Sequence, residues 1–263
     1  MSRTAAKVVL KSPREIELLR DAGRLVHDIL DEIEDRIRPG VTTAELDHLA
    51  AQRIDAAGAT ALFRGVENPQ AAFPFPASIC SSVNEEVVHG IPDDRPLEEG
   101  DIVSVDCGVR LKGYCGDSAR TFAVGRVDDR TRKLLDVTRE ALALAIREAA
   151  PGRRWSEIAG RIQQYVESHG FGVVREFVGH GIGREMHEEP KVPNFVDRNA
   201  ADFELTPGLV LAIEPMVTAG RPEVEFRDSA RWSVVTKDRS RAAHFEHAVA
   251  IREDGATVLS DGR

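Results

Sequence analysis

Two stretches of this chain, LEEGDIVSVD at residues 97–106 and LTPGLVLAIE at residues 205–214, follow one template. Each has a leucine, a glycine three positions later, an apolar run, and an acid nine positions after the leucine. Each is preceded by an H-G-I tripeptide, His89-Gly90-Ile91 in one case and His180-Gly181-Ile182 in the other. Further upstream, each half has an amphipathic helical segment, a Pro-Gly pair (Pro39-Gly40 and Pro151-Gly152) and a second helical segment. Four elements recurring in one order point to a duplicated supersecondary unit. No linker is visible between the copies, so residues 1–263 are expected to form one domain of two similar halves, about 1–127 and 128–263. A chain of 263 residues can bury a substantial core.

The helical segments can be read locally. In PREIELLRDAGRLVHDILDEIEDRI, residues 13–37, the positions Ile16, Leu19, Gly23, Val26, Leu30 and Ile33 recur at spacings of three and four, which predicts one buried stripe. Ser12 is the expected N-cap, with Pro13 in the first turn and Glu15 three residues on. TRKLLDVTREALALAIREAA, residues 131–150, repeats the pattern ahead of Pro151.

Composition excludes some functions. A net charge of -9 argues against sequence-independent binding of nucleic acid, which depends on basic patches. MSRTAAKVVLKSP lacks the apolar core of a signal peptide, and no later run approaches the roughly 20 apolar residues of a membrane helix. A cytoplasmic protein is expected. Cys80, Cys107 and Cys115 form no C-x-x-C pair, which favours reduced thiols over a disulfide framework or a thiolate zinc site. No heptad run demands a partner, so a monomer is expected.

Four acids stand where acids are costly. DIVSVD alternates up to Asp106, which is expected to end a strand, and Lys112-Gly113 reads as a hairpin turn. With those two residues as the loop, Asp106 lies opposite Ala119 and Asp117 opposite Gly108, which puts both carboxylates on one face as diagonal neighbours. LVLAIEPMV surrounds Glu214 with apolar residues, and HFEHAVAI does the same for Glu246, the pattern of buried strands. A buried carboxylate without a partner costs several kcal/mol, so each needs a cation or a set of donors. A salt bridge to Lys or Arg would serve any one of them. Four such acids beside a glycine-flanked histidine favour metal: they carry about four negative charges, matching two divalent ions of the Mn, Fe, Co or Zn type. Two such ions hold a hydroxide ready at neutral pH, so hydrolysis is the expected chemistry.

GHGIGREMHEEP, residues 179–190, sets His180 and His187 seven positions apart. Three glycines argue against a helix, and on one strand an odd separation points the rings to opposite faces, so the two rings are free to have different jobs. H-E-x-x-H is absent.

Together SVNEEVVHGIP, VDCGVRLKGYCGDSART, GHGIGREMHEEP, LAIEPMV and KDRSRAAHFEHAVAI resemble, in order and across nearly the whole chain, the signature segments of type I methionine aminopeptidases. The resemblance implies an α+β pita-bread fold: a curved, mainly antiparallel sheet with outer helices and pseudo-twofold halves. It implies removal of the initiator methionine from nascent polypeptides when the second residue is small, with no membrane association and with room for a transient ribosome contact. By the same resemblance Asp106, Asp117, His180, Glu214 and Glu246 are the metal ligands, with Asp117 and Glu246 spanning both ions. Glu214 also handles the proton of the attacking water, and His89 and His187 contact substrate and oxyanion.

Phe75, Cys80, Met186 and Trp232 are similarly the wall of the methionine pocket. The chain departs from the family pattern at ENPQAAFPFP, where a shorter tyrosine-bearing loop is usual, leaving one pocket aromatic missing or supplied by Phe73. Met186 stands where an aromatic is frequent, and Cys115 where a histidine is expected. His244 and His247 match no ligand position and are read as structural. Two other readings are an X-Pro peptidase of the same architecture, whose relatives carry a large N-terminal domain, and a metal-free binding module.

Overall fold

The computed structural model describes residues 8–197 and 201–263. Ser12 starts α1 (Pro13–Arg36): its hydroxyl accepts from the Glu15 amide while the Glu15 carboxylate accepts from the Ser12 amide. This is the capping box read in the sequence. Ile16, Leu19, Gly23, Val26, Leu30 and Ile33 are all buried, as their spacing predicts. Thr42 and Glu45 form the same box at α2 (Thr43–Ala56). In the second half, α3 (Asp129–Glu148) starts two residues before the apolar pattern suggests, because Asp128 caps it by accepting from the Thr131 amide. After the Pro151-Gly152 turn comes α4 (Trp155–Ser168).

The two halves share a pattern of backbone bonds. Gly40 donates to the Leu97 carbonyl and Leu97 donates back to Val41, each at 2.8 Å. Gly152 donates to Leu205 and Leu205 donates back to Arg153, each at 2.9 Å. An isolated bridge between Thr42 and Pro96 recurs between Arg154 and Glu204. In both halves the Pro-Gly turn is thus tied to the chain entering the acid-bearing strand.

Lys112 and Gly113 reverse the chain with φ of 51 and 81°, the left-handed pair that a two-residue hairpin favours. The strands Ile102–Leu111 and Tyr114–Ala123 pair on either side, with Asp106 opposite Ala119 and Gly108 opposite Asp117 as expected. Asp106 does not end its strand, contrary to the sequence expectation. Cys107 and Val109 continue the buried alternation, and pairing runs on to Leu111 and Tyr114. The strand Ile79–Val83 takes part of the other edge, setting Cys80 opposite Asp106. The second half builds a five-stranded sheet in the order Gly255–Val258, His247–Arg252, Val210–Ile213, Gly179–Gly181, Glu188–Val192. All strand pairings among the described residues are antiparallel.

Alternation along the hairpin decides where the chemistry goes. Val103, Val105 and Val109 pack against Val26, Ile29, Leu30 and Ile33 of α1. Their even-numbered neighbours, Asp106 among them, must face the opposite side. Helix and hairpin approach so closely that a Cβ on Gly116 would lie 2.4 Å from the carbonyl carbon of Ala22. On the other half, Leu134, Leu142, Trp155 and Ile158 of α3 and α4 cover Leu211, Ile213 and Val249. A third cluster joins the halves, with Ile16 and Leu19 against Tyr114, Ile182, Val210 and Ala248. Each fully buried aliphatic side chain contributes about 1.5–3 kcal/mol over its exposed state, so both helix pairs are held firmly on the faces away from the acids. No helix among the described residues is long and apolar enough to cross a membrane.

Candidate metal centre

Both halves deliver acids to one cavity of about 1040 Å³, which Asp106, Asp117, His180, Glu214 and Glu246 all line. Asp106 and Asp117 reach it as diagonal neighbours on the hairpin. Glu214 and Glu246 are not within strands, as their apolar flanks suggested. Glu214 directly follows Val210–Ile213 and Glu246 directly precedes His247–Arg252. Since His247 pairs with Ile213, the two glutamates sit one step beyond the last pair, at the same end of the ladder.

The parity argument for the histidines fails for a specific reason. After Gly179–Gly181 the chain turns and returns as Glu188–Val192, pairing Gly181 with Glu188. His187 therefore comes back over His180, with ring centroids 4.5 Å apart and edge to face.

One donor atom each of Asp117, His180 and Glu246 lies within 4.8 Å of the other two. Nε2 of His180 is 3.7 Å from Asp117 Oδ2 and 3.6 Å from Glu214 Oε1. The other ring nitrogen, Nδ1, sits 3.0 Å from the Gly181 carbonyl, which can only accept, so Nδ1 carries the proton. The lone pair of Nε2 then faces the acids, the tautomer that a metal ligand requires.

Burial pushes Asp106 up to about 7 and raises Asp117 and Glu246 well above the usual carboxylate range, with the neighbouring carboxylates adding to the effect. Glu214 goes the other way. Burial works to raise it, but its hydrogen bond with His244 and the imidazoles of His180 and His187 hold it below the usual value.

The donor set fits divalent cations. Asp106 Oδ1, Asp117 Oδ1 and Glu246 Oε1 are buried without hydrogen-bond partners. Among the described residues no Lys or Arg forms an ion pair with any of the five candidate ligands, whose charged neighbours are histidines and one another. Like charges this close ionise together only when positive charge stands among them. The three cysteines are free and buried.

The remaining sequence candidates surround this centre. His89 and His187 line the cavity. Burial pushes His89 down to about 4 and lowers His187, so both rings are neutral at pH 7. Phe75, Cys80 and Trp232 form one buried cluster, with the Phe75 and Trp232 rings 5.2 Å apart. Met186 lies over Gly108, where a Cβ would be 2.8 Å from its Cε.

Two expectations need correction. Phe73 does not supply the missing aromatic: it is 44% exposed, and what it contributes is its carbonyl, which accepts from Trp232 Nε1. Phe63 and Phe177 line the cavity instead, Phe63 packed edge-on to Phe75 and Phe177 edge-on to His89. His244 is part of the cavity wall, with Nε2 3.5 Å from Glu214 Oε2. A usable signal existed for it, because residues i and i+2 of an extended chain share a face and Glu246 lies two positions on. His247 fits its structural reading, with Nδ1 2.9 Å from Ser260 Oγ. A cavity of similar volume, about 1030 Å³, lies between α1 and α3 and includes none of the candidate site residues.

A buried carboxylate and imidazole cluster on a duplicated, all-antiparallel scaffold is metal-dependent hydrolase architecture, and the comparisons agree. Residues 17–253 match metallopeptidase family M24, and the chain belongs to this family, with its pita-bread fold. Within it the similarity is to methionine aminopeptidases. The methionine aminopeptidase of Clostridium acetobutylicum is 49% identical over 96% of this chain and 98% of the relative, and methionine aminopeptidase 1 of Bacillus subtilis is 47% identical over 96% and 99%. The solved methionine aminopeptidase of Rickettsia prowazekii matches with a TM-score of 0.91 at 35% identity, covering 97% of this chain and 100% of that one. An Xaa-Pro dipeptidase from Bacillus anthracis, at TM-score 0.73 and 23% identity, shares the fold and covers 97% of this chain but 62% of its own.

Proposed function

We propose that this chain is a metallo-aminopeptidase that removes methionine from the N-terminus of polypeptides whose second residue is small. The carrying observation is the convergence of Asp106, Asp117, His180, Glu214 and Glu246 from both halves on a cavity that also holds two neutral histidines and an apolar aromatic wall. On this reading the five residues, Asp117 and Glu246 among them, would hold two divalent ions of the Co, Mn, Fe or Zn class. Bound there, such ions supply Lewis acidity toward the scissile carbonyl and lower the pKa of water.

The side chains supply the rest. Glu214, held in its ionised form, accepts a proton from the attacking water and returns it to the departing amine. His89 and His187, neutral at working pH, each offer one N–H toward the carbonyl oxygen as charge develops on it. Phe63, Phe75, Cys80, Met186 and Trp232 enclose the unbranched methionine side chain, for which apolar surface without a fixed polar partner is suited. The natural substrate on this reading is a nascent polypeptide in the cytoplasm, met by a monomer that touches the ribosome transiently.

The test is cleavage of Met-Ala-Ser and Met-Lys-Ser by the purified protein with Mn or Co. The first should be cleaved and the second spared, and a Gly-Pro dipeptide should stay intact. No cleavage of Met-Ala-Ser, or equal cleavage of both tripeptides, overturns the reading.

A further inference from the structure

The segment ahead of α1 contains a buried cation. Lys11 is 7% exposed, and its amide donates to the Gly208 carbonyl at 2.7 Å. Its ammonium donates to the Val9 carbonyl at 2.7 Å and to Glu188 Oε2 at 2.5 Å. Lysine is rarely buried unless paired, so the carboxylate is what keeps this side chain inside.

Glu188 directly follows His187. Its second oxygen, Oε1, accepts from the Glu185 amide at 3.3 Å, so one carboxylate both closes the turn at 183–188 and anchors it to the N-terminal segment. The fit leaves no room for a side chain at Gly183, where a Cβ would lie 2.4 Å from Glu188 Oε1 and 2.5 Å from Lys11 Cε. From the other side, the Cys115 amide donates to the Gly183 carbonyl at 2.9 Å, and its thiol donates to the Arg184 carbonyl at 3.4 Å. From this turn Met186 and His187 line the cavity, flanked by Glu185 and Glu188.

We propose that Lys11 is a positioning residue for peptide cleavage: through Glu188 it fixes the turn that sets Met186 and His187 against the centre. The proposal rests on the function given above, which defines the task of His187. Val9 lines the same cavity, so the segment before α1 is part of the site's wall as well as its anchor.

The experiment uses the metal-loaded, full-length protein. Lys11→Met keeps the apolar stem and removes the ammonium. It should lower kcat/KM for Met-Ala-Ser by about tenfold or more, the scale of a lost hydrogen bond to a charged group, while metal content stays near the parent value; Tm should fall, because Glu188 is left without its cation. Lys11→Arg keeps a cation and should lose less activity than Lys11→Met. Because the effect runs through the turn, losses from Lys11→Met and His187→Ala should combine to less than their product.

Parent-like kcat/KM in Lys11→Met, or losses that multiply fully, would overturn the proposal. Should Lys11→Met not fold, Glu188→Gln carries the same expectation, and full activity in it is equally fatal. If the parent protein cleaves no methionyl peptide, the functional reading falls. The anchor is then judged by hydrogen exchange at the Glu185 amide: faster exchange in Lys11→Met over an unchanged core upholds it, and unchanged exchange refutes it.

Discussion

The hydroxyl of Ser118 donates to the main-chain carbonyl of Glu246 at 2.6 Å, and the Glu246 amide donates to the neighbouring Ala119 carbonyl at 2.9 Å. These two bonds clamp the second half's Glu246 onto the strand that bears Asp117, and neither acid can be moved without the other. Ser118 is fully buried. Ser118→Ala leaves the Glu246 carbonyl without its side-chain donor and should cost about 1–2 kcal/mol of stability. Because the clamp orients a candidate ligand, metal affinity should fall about tenfold or more. Thermal unfolding and calorimetric titration with Mn measure both, and a variant equal to the parent in the two would show that the clamp does not matter.

Removing a donor from the centre should uncouple stability from metal. Ions that bind only the folded chain stabilise it, by about 2.7 kcal/mol when their free concentration is 100 times Kd. The parent protein should therefore gain Tm with Mn and lose it with a chelator. His180→Ala and Glu246→Gln should remain folded, lose most of that response and lose nearly all turnover. A full metal response with full activity in either would refute the ligand assignment.

Gly108 is the floor beneath Met186 and Phe63, at 2.8 and 3.2 Å from where a Cβ would stand. Gly108→Ala pushes the flexible Met186 toward the cavity, a crowding worth about 1 kcal/mol, or about fivefold. KM for Met-Ala-Ser should rise by that factor while kcat and metal content hold. An unchanged KM would mean that Met186 does not bound the methionine pocket.

His247 sets a pH dependence of its own. Burial pushes it down to about 4, assisted by the Arg120 guanidinium, whereas in the unfolded chain it titrates near its usual value of about 6.5. Between those values the unfolded chain binds a proton that the folded one excludes. The stability associated with the neutral ring is thus complete above pH 6.5 and lost as pH falls to 4, about 3 kcal/mol in all. His247→Asn does not titrate, so the stability difference between parent and variant in urea should shrink by that amount from pH 7 to pH 4. A flat difference would rule this out.

What was legible in the sequence was whatever local rules decide. The Ser12 cap, the buried stripe of α1 and the Lys112-Gly113 turn each depend on residues within a few positions, and that turn alone set Asp106 and Asp117 on one face. Fold family was legible through motifs in order. What escaped was decided by chain reversal and tertiary proximity. His187 lies over His180 because Gly181 pairs with Glu188, a return no strand parity could anticipate. Phe63 reaches the pocket through a bond from the Leu62 amide to the Gly108 carbonyl, across 46 positions of chain, while the nearer candidate Phe73 stays exposed. His244 was visible as a flanking residue, but its approach to Glu214 is a contact between separate segments.

The acids are shared evenly, Asp106 and Asp117 from the first half, Glu214 and Glu246 from the second, the last of them reached just before the strand His247–Arg252. Half of this molecule holds only two of the four carboxylates, and so cannot assemble the full charge that would draw in a pair of doubly charged ions. The centre is thus a property of the joined halves and of neither alone: its last carboxylate is in place only where the strand His247–Arg252 lies against Val210–Ile213.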